Sequence, residues 1–437
     1  MNPLPATSRP RSRPSRRRLL AGAGACLLAA GTTGAIAAVA LAATTSPVRA
    51  QVTSNVADAA LGANWYESAP YYSTLDSNGP DLGQVMAATG QKAFEMAFIL
   101  ADGGCTPSWD GTDPVSSDTQ VGSVINEVRN DGGDVIVSAG GYNGTKLGQV
   151  CGSASATAAA YQQVITKYGL HAMDFDLEEP EIESSPSIAN ELGAAQILQQ
   201  NNPGLFVSIT MPSTTTGANY FGGLLLDEAK SLGFTPDDYT IMPFDGGFNG
   251  ASSQVTALQD FHSQLMSTFG WSSAQAYARE GFSGMNGRTD TGEYFYQSDF
   301  QTVLNFVQSN GLSRFTFWSV NRDRQCNPPD NNGGTSSECS SVTQNSWDFT
   351  AYTVAFAKGA PVTSPTPPPS SPPPSSPPPS SPPPSSGSCS AAAWKSNQAY
   401  VSGDDVTYNG HEWTANQWNY DEVPGGPAGA WNDDGAC

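Results

Sequence analysis

One short segment of this chain constrains the fold more than any other, because acidic and apolar residues alternate strictly along it. In a β-strand successive side chains point to opposite faces, so Asp174, Asp176 and Glu178 share one face. Phe175 and Leu177 share the other face and require a hydrophobic core behind the strand. A solvent-facing acidic edge or a calcium site is the alternative that the spacing leaves open.

The three carboxylates also indicate a chemistry. A buried carboxylate is costly to ionise, and neighbours on one face push each other's pKa values apart. One member can then stay protonated at neutral pH while another stays charged, which acid catalysis requires. We therefore predict that Glu178, Asp176 and Asp174 are catalytic residues.

Apolar runs alternate with helical stretches over about 300 residues, which is typical of an α/β protein with an eight-stranded (β/α) barrel, the TIM barrel. A doubly wound open sheet is the alternative, although no Gly-x-Gly-x-x-Gly follows the first predicted strand. In a barrel, Glu178 falls at the carboxyl end of its strand, where barrel enzymes place their chemistry. The predicted strands are Phe94–Leu100, Asp134–Ser138, Ala172–Leu177, Leu205–Met211, Tyr239–Phe244 and Arg314–Trp318, and the predicted helices include Ser123–Asn130, Ala158–Tyr168 and Phe300–Ser309.

The first 50 residues have the pattern of an export signal. The pair Arg16-Arg17 precedes an Ala/Gly-rich apolar run, and small residues end at Ala50, which predicts a twin-arginine signal peptide and a secreted, extracellular protein. A transmembrane anchor is the alternative. The segment holds seven arginines and no acids, so its removal takes the formal net charge from −21 to −28. Such acidity excludes nucleic acid and anionic membranes as partners and is compatible with a neutral polysaccharide.

Ser/Pro repeats over 364–386 divide the chain. Their composition cannot build a core and favours polyproline II, a spacer of about 70 Å at roughly 3.1 Å per residue. The predicted organisation is a signal peptide over 1–50, a catalytic domain over 51–360, a linker over 361–388 and a small module over 389–437.

Six cysteines remain in the exported chain, which favours disulfides. No Cys-x-x-Cys pair or histidine cluster indicates a metal or cofactor, and His262 and His411 are predicted to be surface residues. Fifteen pairings are possible, of which spacing favours Cys326–Cys339, Cys389–Cys437 and Cys105–Cys151.

The acidic strand resembles the D-x-x-D-x-D-x-E signature of family 18 glycoside hydrolases, the chitinases and their relatives. The last three acidic positions of that signature match, and the first is His171. His171 has the opposite strand parity, so we expect it to lie outside the catalytic face and to affect local support of the strand.

Three further motifs match the same family in the correct order. The Ser-x-Gly-Gly motif ends at Gly141; the family's M-x-Y-D motif carries Met242, Phe244 and Asp245; and Trp318 stands where the family places the floor under the sugar. The resemblance implies that these five residues bind substrate. Phe244 replaces the family's Tyr, so one hydrogen bond is missing, at a cost of about 1–3 kcal/mol.

The resemblance implies substrate-assisted hydrolysis with retention of configuration, without a metal or cofactor. Glu178 protonates the glycosidic oxygen, and the sugar's own acetamido oxygen attacks the anomeric carbon. Asp176 orients the acetamido group, and Asp174 holds Asp176. The loop aromatics Trp65, Tyr142 and Trp109 are further candidates to line subsites, with no basis for ranking them.

The segment from Cys389 onward is unusually rich in aromatic residues. A module this small cannot bury them all, and exposed rings commonly bind sugar polymers; a core that absorbs every ring is the alternative. The spacing resembles family 5/12 carbohydrate-binding modules, small β-folds that bind chitin or cellulose. It implies Trp413, Trp418 and Tyr420 as chitin contacts.

These features together predict a secreted, monomeric chitinase that binds chitin and N-acetylglucosamine oligosaccharides and does not associate stably with membranes. The lack of a clear extra α+β insertion between late strands predicts an open cleft and endo-type cleavage. Two alternatives stay open: a non-catalytic chitin lectin on the same barrel, and an endo-β-N-acetylglucosaminidase that cuts glycoprotein glycans.

Overall fold

The structure is a computed structural model, and several of the predictions lie outside the part of the chain that it describes. These are the signal peptide, most of the linker, the Cys389–Cys437 pair, Trp418 and the side chain of Tyr420. The described residues are 60–329, 333–363, 391–396, 398–400, 403–415, 419–420, 423–425 and 431–436.

Eight strands and eight helices alternate between residues 71 and 358. The strands are β1 (Tyr71–Ser73), β2 (Ala93–Ala101), β3 (Asp134–Gly140), β4 (Ala172–Asp176), β5 (Phe206–Thr214), β6 (Asp238–Met242), β7 (Glu280–Met285) and β8 (Arg314–Trp318). The helices that follow them in turn are α1 (Leu82–Thr89), α2 (Gln120–Asn130), α3 (Ala154–Tyr168), α4 (Ser185–Asn201), α5 (Tyr220–Leu232), α6 (Gly250–Phe269), α7 (Gln297–Asn310) and α8 (Thr350–Lys358).

The eight strands form one parallel sheet in sequence order, from β1 paired with β2 to β7 paired with β8. The residues just before β1 meet β8: the amide of Phe315 donates to the carbonyl of Glu67 at 2.9 Å, and the hydroxyl of Thr316 donates to the carbonyl of Ala69. The sheet is thereby closed, and the predicted TIM barrel is confirmed.

Shorter elements decorate the barrel. Helical turns cover Ala63–Tyr66, Leu147–Val150, Ser273–Tyr277 and Val320–Arg322. Short antiparallel strands cover Pro107–Trp109, Asp113–Pro114 and Gly217–Ala218, and Gly287–Arg288 pairs with Tyr294–Phe295 after β7.

The parity of β4 is as predicted. Phe175 points outward and packs edge-on against Tyr161 of α3, with ring centroids 5.3 Å apart. Asp174 and Asp176 are buried on the opposite face, inside the barrel. The alternation of the sequence therefore separates the helix-packed core from the carboxylate face.

Side-chain caps fix where several helices begin. Asp81, Ser153 and Asn219 accept hydrogen bonds from backbone amides in the first turns of α1, α3 and α5. These residues satisfy donors that a helix leaves free at its start.

The disulfides Cys105–Cys151 and Cys326–Cys339 are present, which confirms two of the three predicted pairings. The prediction that His262 lies on the surface is wrong. It is buried, its ring stacks on Tyr277, and it contacts Glu280 at 3.0 Å. A histidine on a helix face gave no signal of the buried carboxylate opposite it.

The C-terminal module is a small β-structure. Its strands are β9 (Ala392–Ala393), β10 (Ala399–Tyr400), β11 (Asp405–Tyr408), β12 (His411–Ala415), β13 (Asn419–Tyr420) and β14 (Trp431–Ala436). Strands β9, β11, β12 and β14 form one sheet in that order, and β10 pairs with β13. The buried core holds Tyr400, Val406, Ala415 and Trp431, so the predicted β-rich module is confirmed.

Within the described ranges, no helix has the length and apolar character that crossing a bilayer requires.

Candidate active site

A cleft of about 880 Å³ opens at the carboxyl ends of the strands. Asp176, Glu178, Phe244, Asp245 and Trp318 line it, together with the predicted contact residue Met242. The barrel thus brings together two of the three predicted catalytic residues and four of the five predicted substrate contacts in one cavity.

Asp174 lies beneath the cleft, where side chains from three other strands hold it. One carboxylate oxygen accepts a hydrogen bond from Thr210 at 2.7 Å, and the other accepts from Ser138 at 2.7 Å and from Tyr71 at 3.3 Å. Asp174 is fully buried. Three donors orient this carboxylate, so it is a fixed support for the residue above it.

A buried ion pair lies next to Asp174. The guanidinium of Arg314 donates to the carboxylate of Glu95, and another of its nitrogens is 3.6 Å from Asp174. Both residues are fully buried. Burial raises the pKa of Glu95 well above its usual range, and the charge of Arg314 acts in the opposite direction.

The two acids in the cleft have strongly raised pKa values. Burial, followed by the negative charges of Glu178 and Asp174, raises the pKa of Asp176 well above its usual range. Burial, with the charge of Glu179 next, raises the pKa of Glu178 to about 7. A carboxyl group with a pKa near 7 can donate a proton at neutral pH and take one back afterwards.

Two glycines let the end of β3 approach β4. The φ angle of Gly140 is +118°, and a Cβ atom there would lie 2.0 Å from the carbonyl oxygen of Asp176. The amide of Gly141 donates to that same oxygen at 2.9 Å. Gly141 packs against the ring of Phe98, and a Cβ atom at this position would lie 2.7 Å from that ring. Gly141 is therefore next to the cleft but is not one of the residues that line it.

The floor of the cleft is aromatic. The rings of Trp318 and Phe98 stack with centroids 5.6 Å apart and planes 6° from parallel, and Tyr71 lies 5.9 Å from Trp318. Trp318 and Phe98 are half-buried. Flat half-exposed rings are suited to the C–H faces of a sugar.

The loop after β6 also contributes to the lining of the cleft. Asp245 accepts hydrogen bonds from the amide and hydroxyl of Thr291 at 2.8 and 2.9 Å, and its own amide donates to Glu293 at 2.7 Å. Phe244 lines the cleft without a polar group. Asp245 is therefore held by the loop after β7, whereas the side chain of Phe244 can contact a ligand but cannot form a hydrogen bond with it.

His171 supports the strand from outside the catalytic face, as its parity predicts. Its Nδ1 lies 2.9 Å from Oδ2 of Asp134, which also accepts from Tyr66, and Arg129 donates to Oδ1 of the same carboxylate. The histidine therefore joins a polar cluster at the start of β3 and β4.

The structure ranks the loop aromatics that the sequence could not. Tyr142 is 66% exposed and lines the cleft. Trp109 is fully buried, with its indole N–H donated to Tyr168 at 2.9 Å. Trp65 packs against a cluster that includes Ala93 at the first residue of β2, away from the cleft. Of the three candidates, Tyr142 alone lines the cavity.

Sequence reasoning missed the partners of the acidic strand. Tyr71, Thr210, Glu95 and Arg314 lie on other strands, and Lys146 lies in the loop after β3. The sequence did contain one indication of these partners, namely charged residues within apolar runs. Glu95 interrupts β2, and Arg314 begins β8. Buried charged residues are rare unless paired, so each pointed to a partner across the barrel.

In the module, Trp413 is half-buried and its indole N–H donates to the carbonyl of Tyr408 at 3.1 Å. A Cβ atom at Gly425 would lie 3.1 Å from the ring of Trp413. One edge of the ring is thus fixed by the fold, and part of its surface remains accessible.

Comparisons with known proteins agree with these observations. Residues 393–432 match the model of carbohydrate-binding module family 5/12. The crystal structure of the catalytic domain of a hyperthermophilic chitinase from Pyrococcus furiosus aligns with a TM-score of 0.60 and 26% identity, over 66% of this chain and 94% of that one. The resemblance of the barrel to family 18 glycoside hydrolases is confirmed. The predicted carbohydrate-binding module is confirmed with it, and the barrel is similar to chitinases in sequence and in structure.

Further relatives extend the likeness. Catalytic-site mutants of the Pyrococcus furiosus chitinase domain in complex with chito-oligosaccharides align with a TM-score of 0.60 and 25% identity, over 67% of this chain and 94% of that one. In sequence, the chain is 28% identical over 275 residues to a probable bifunctional chitinase/lysozyme of Escherichia coli and 28% identical over 273 residues to Endochitinase 11 of Metarhizium anisopliae. Each match covers 58% of this chain, and 30% and 52% of those proteins. The chain thus matches about half or less of the length of these curated relatives.

Proposed function

We propose that this chain is a chitinase that hydrolyses β-1,4 linkages between N-acetylglucosamine units. The observation that carries the proposal is the placement of Glu178 above Asp176 and Asp174 at the end of β4, in a cleft with an aromatic floor. Relatives named chitinases, in sequence and in structure, support the substrate class.

The proposed reaction is substrate-assisted and retains configuration. The carboxyl proton of Glu178 passes to the glycosidic oxygen as the C–O bond breaks, and the sugar's acetamido oxygen bonds to the anomeric carbon. Water then attacks that carbon, gives its proton to Glu178 and releases the acetamido oxygen. A raised pKa suits both steps, because the same group serves as acid and then as base.

Asp176 and Asp174 serve the acetamido group in this proposal. Asp176 lines the cleft, and one of its oxygens is buried without a hydrogen-bond partner among the described residues; in this proposal the carboxylate accepts the acetamido N–H. Such a bond orients the attacking oxygen and stabilises the positive charge of the intermediate. Asp174, fixed by three donors, keeps Asp176 in place.

The test is hydrolysis of colloidal chitin and of N-acetylglucosamine oligomers by the full chain, with product lengths and the first-formed anomer identified. Release of β-anomers of mixed length supports a retaining, endo-acting chitinase. Binding without cleavage would make the protein a lectin. Cleavage of glycoprotein glycans in preference to chitin would make it an endo-β-N-acetylglucosaminidase.

Phe244→Tyr is expected to raise kcat/KM on soluble oligomers about 5-fold. The new hydroxyl restores a hydrogen bond to the acetamido group, and one such bond contributes on the order of 1 kcal/mol. Phe221→Tyr is the control and should leave the rate unchanged. Phe221 is a half-buried residue of α5 that does not line the cleft. No gain in Phe244→Tyr would mean that another group already makes this bond.

The module is proposed to hold the enzyme on chitin, with Trp413, Trp418 and Tyr420 as contacts. Trp413→Ala is expected to weaken binding to colloidal chitin about 10-fold, because stacking of a sugar on an indole is lost. Depletion from solution measures this, and Trp394→Ala, which removes another partly buried indole of the module, controls for loosened packing. Equal losses in both variants would argue against a direct contact.

The domain boundaries, export by the twin-arginine route and a monomeric state are also proposed. The charge of the exported chain is compatible with them, and size-exclusion chromatography with N-terminal sequencing of secreted protein tests the last two.

A further inference from the structure

A lysine is completely buried beside the candidate catalytic acids. Lys146, in the loop between β3 and α3, has no exposed surface, and its ammonium donates a hydrogen bond to the carbonyl of Tyr142 at 3.0 Å. Removing an ammonium from water is costly unless negative charge lies nearby. The burial of this cation therefore requires an electrostatic reason.

That reason is the end of β4. Burial lowers the pKa of Lys146, and the carboxyl groups of Glu181, Glu178, Asp176 and Glu179, in this order of effect, raise it to the extent that each is charged. All four belong to β4 or the turn that follows it. Lys146 is thus a single cation facing a group of carboxyls that includes both acids of the proposed reaction.

Glu181, the carboxyl with the largest effect on the pKa of Lys146, lies beside a second buried carboxyl. Glu181 and Glu191 of α4 are both buried, and burial followed by the negative charge of Glu191 raises the pKa of Glu181 well above its usual range. Glu191 already accepts from the amide of Gly148 at 2.6 Å and from the hydroxyl of Tyr161 at 2.9 Å. These donors favour the anion on Glu191, whose charge disfavours a second negative charge on Glu181. A neutral Glu181 leaves the charge of Lys146 to act on Asp176 and Glu178.

We propose that Lys146 is an electrostatic positioning residue that sets the pH range in which Asp176 and Glu178 work together. This rests on the proposed function, because the two acids must carry one proton and one charge between them for hydrolysis. The ammonium favours that single negative charge, whereas the neighbouring carboxyl groups oppose it. The opposing groups are Glu179, Asp245 and Asp290 toward Glu178, and Asp174 and Glu95 toward Asp176.

The test is the pH profile of kcat/KM on N-acetylglucosamine oligomers. Lys146→Gln removes the charge and keeps a donor for the carbonyl of Tyr142. Without the cation each anion is less favoured, so the pKa of Asp176 and that of Glu178 both rise. The acidic limb, where Asp176 must lose its proton, and the alkaline limb, where Glu178 must keep its proton, should both move up by about one pH unit. Activity one unit below the wild-type optimum should fall about 10-fold.

Three variants separate this role from packing. Lys146→Arg keeps the charge and should keep both limbs; Lys167→Gln removes an exposed lysine of α3 and should change nothing. Lys146→Met, which keeps the apolar stem, replaces the Gln variant if that variant does not fold. A lower kcat with unmoved limbs in a folded, uncharged variant would overturn the proposal and leave Lys146 a structural residue.

A second readout does not depend on turnover. Carbon-13 carboxyl NMR of glutamate-labelled protein follows the titration of Glu178 directly, with the resonance assigned by its loss in Glu178→Gln. A higher pKa of Glu178 in Lys146→Gln supports the proposal even if the wild type cleaves no chitin. An unchanged titration contradicts it even if the wild type is an active chitinase.

Discussion

Glu178→Gln is expected to lower kcat on N-acetylglucosamine oligomers about 1000-fold, while binding to chitin persists. The amide keeps the size of the side chain but has no proton to give to the glycosidic oxygen, and general acid catalysis contributes about 10²- to 10⁴-fold. Burial and the charge of Glu179 raise the pKa of Glu178 to about 7, so about half of the wild-type molecules carry that proton at pH 7. Product release measured by chromatography gives the rate, and depletion onto colloidal chitin gives the binding.

Glu183→Gln is the matched control, because Glu183 follows in the same loop and is exposed. It should retain wild-type kcat. Equal rates in wild type and Glu178→Gln would remove Glu178 from the reaction. Binding without turnover in both proteins would favour the lectin, with the departures at Phe244 and His171 as the first positions to revert.

The acidic strand could be predicted from the sequence because its information is local. Alternation at period two fixes which side chains share a face, and the apolar partners fix which face is core. The same reasoning found six of the eight barrel strands. It missed β1, which is three residues long, and β7, whose two glycines among six residues leave little apolar pattern.

The support of the site could not be predicted, because it comes from residues far apart in the chain. Asp174 is held by Tyr71, 103 positions earlier, and by Thr210, 36 positions later. Arg314 meets Glu95 across 219 positions. Only closure of the barrel brings these side chains together, and no local pattern encodes which strands become neighbours in the closed sheet.

Aromatic residues show the same limit. Trp109 and Tyr142 both follow predicted strands, yet one is fully buried and the other is 66% exposed and lines the cleft. The difference lies in Tyr168, whose hydroxyl accepts the indole N–H of Trp109 at 2.9 Å. A buried Trp needs such a partner, and the partner is 59 residues away.

Gly140→Ala is expected to destabilise the barrel by about 4 kcal/mol and to abolish hydrolysis. The φ angle of +118° is a conformation that residues with a Cβ rarely adopt, at a cost of about 1–3 kcal/mol. The added methyl would also lie 2.0 Å from the carbonyl oxygen of Asp176. Relief of that contact must separate β3 from β4, and overpacking of this kind costs a further 1–3 kcal/mol or so. Urea unfolding followed by tryptophan fluorescence measures the change.

Gly103→Ala separates the two contributions. Gly103 also has a positive φ angle, +63°, but a Cβ there meets no atom within 4 Å. Its substitution should therefore cost about 1 kcal/mol from backbone strain alone and leave hydrolysis intact. A similar small loss in Gly140→Ala, with activity retained, would mean that β3 can move away from the carbonyl of Asp176 without disturbing the acids. The close contact between the two strand ends would then be incidental to the placement of Asp176, whereas a large loss in Gly140→Ala alone ties the Ser-x-Gly-Gly motif to the geometry of the acidic strand.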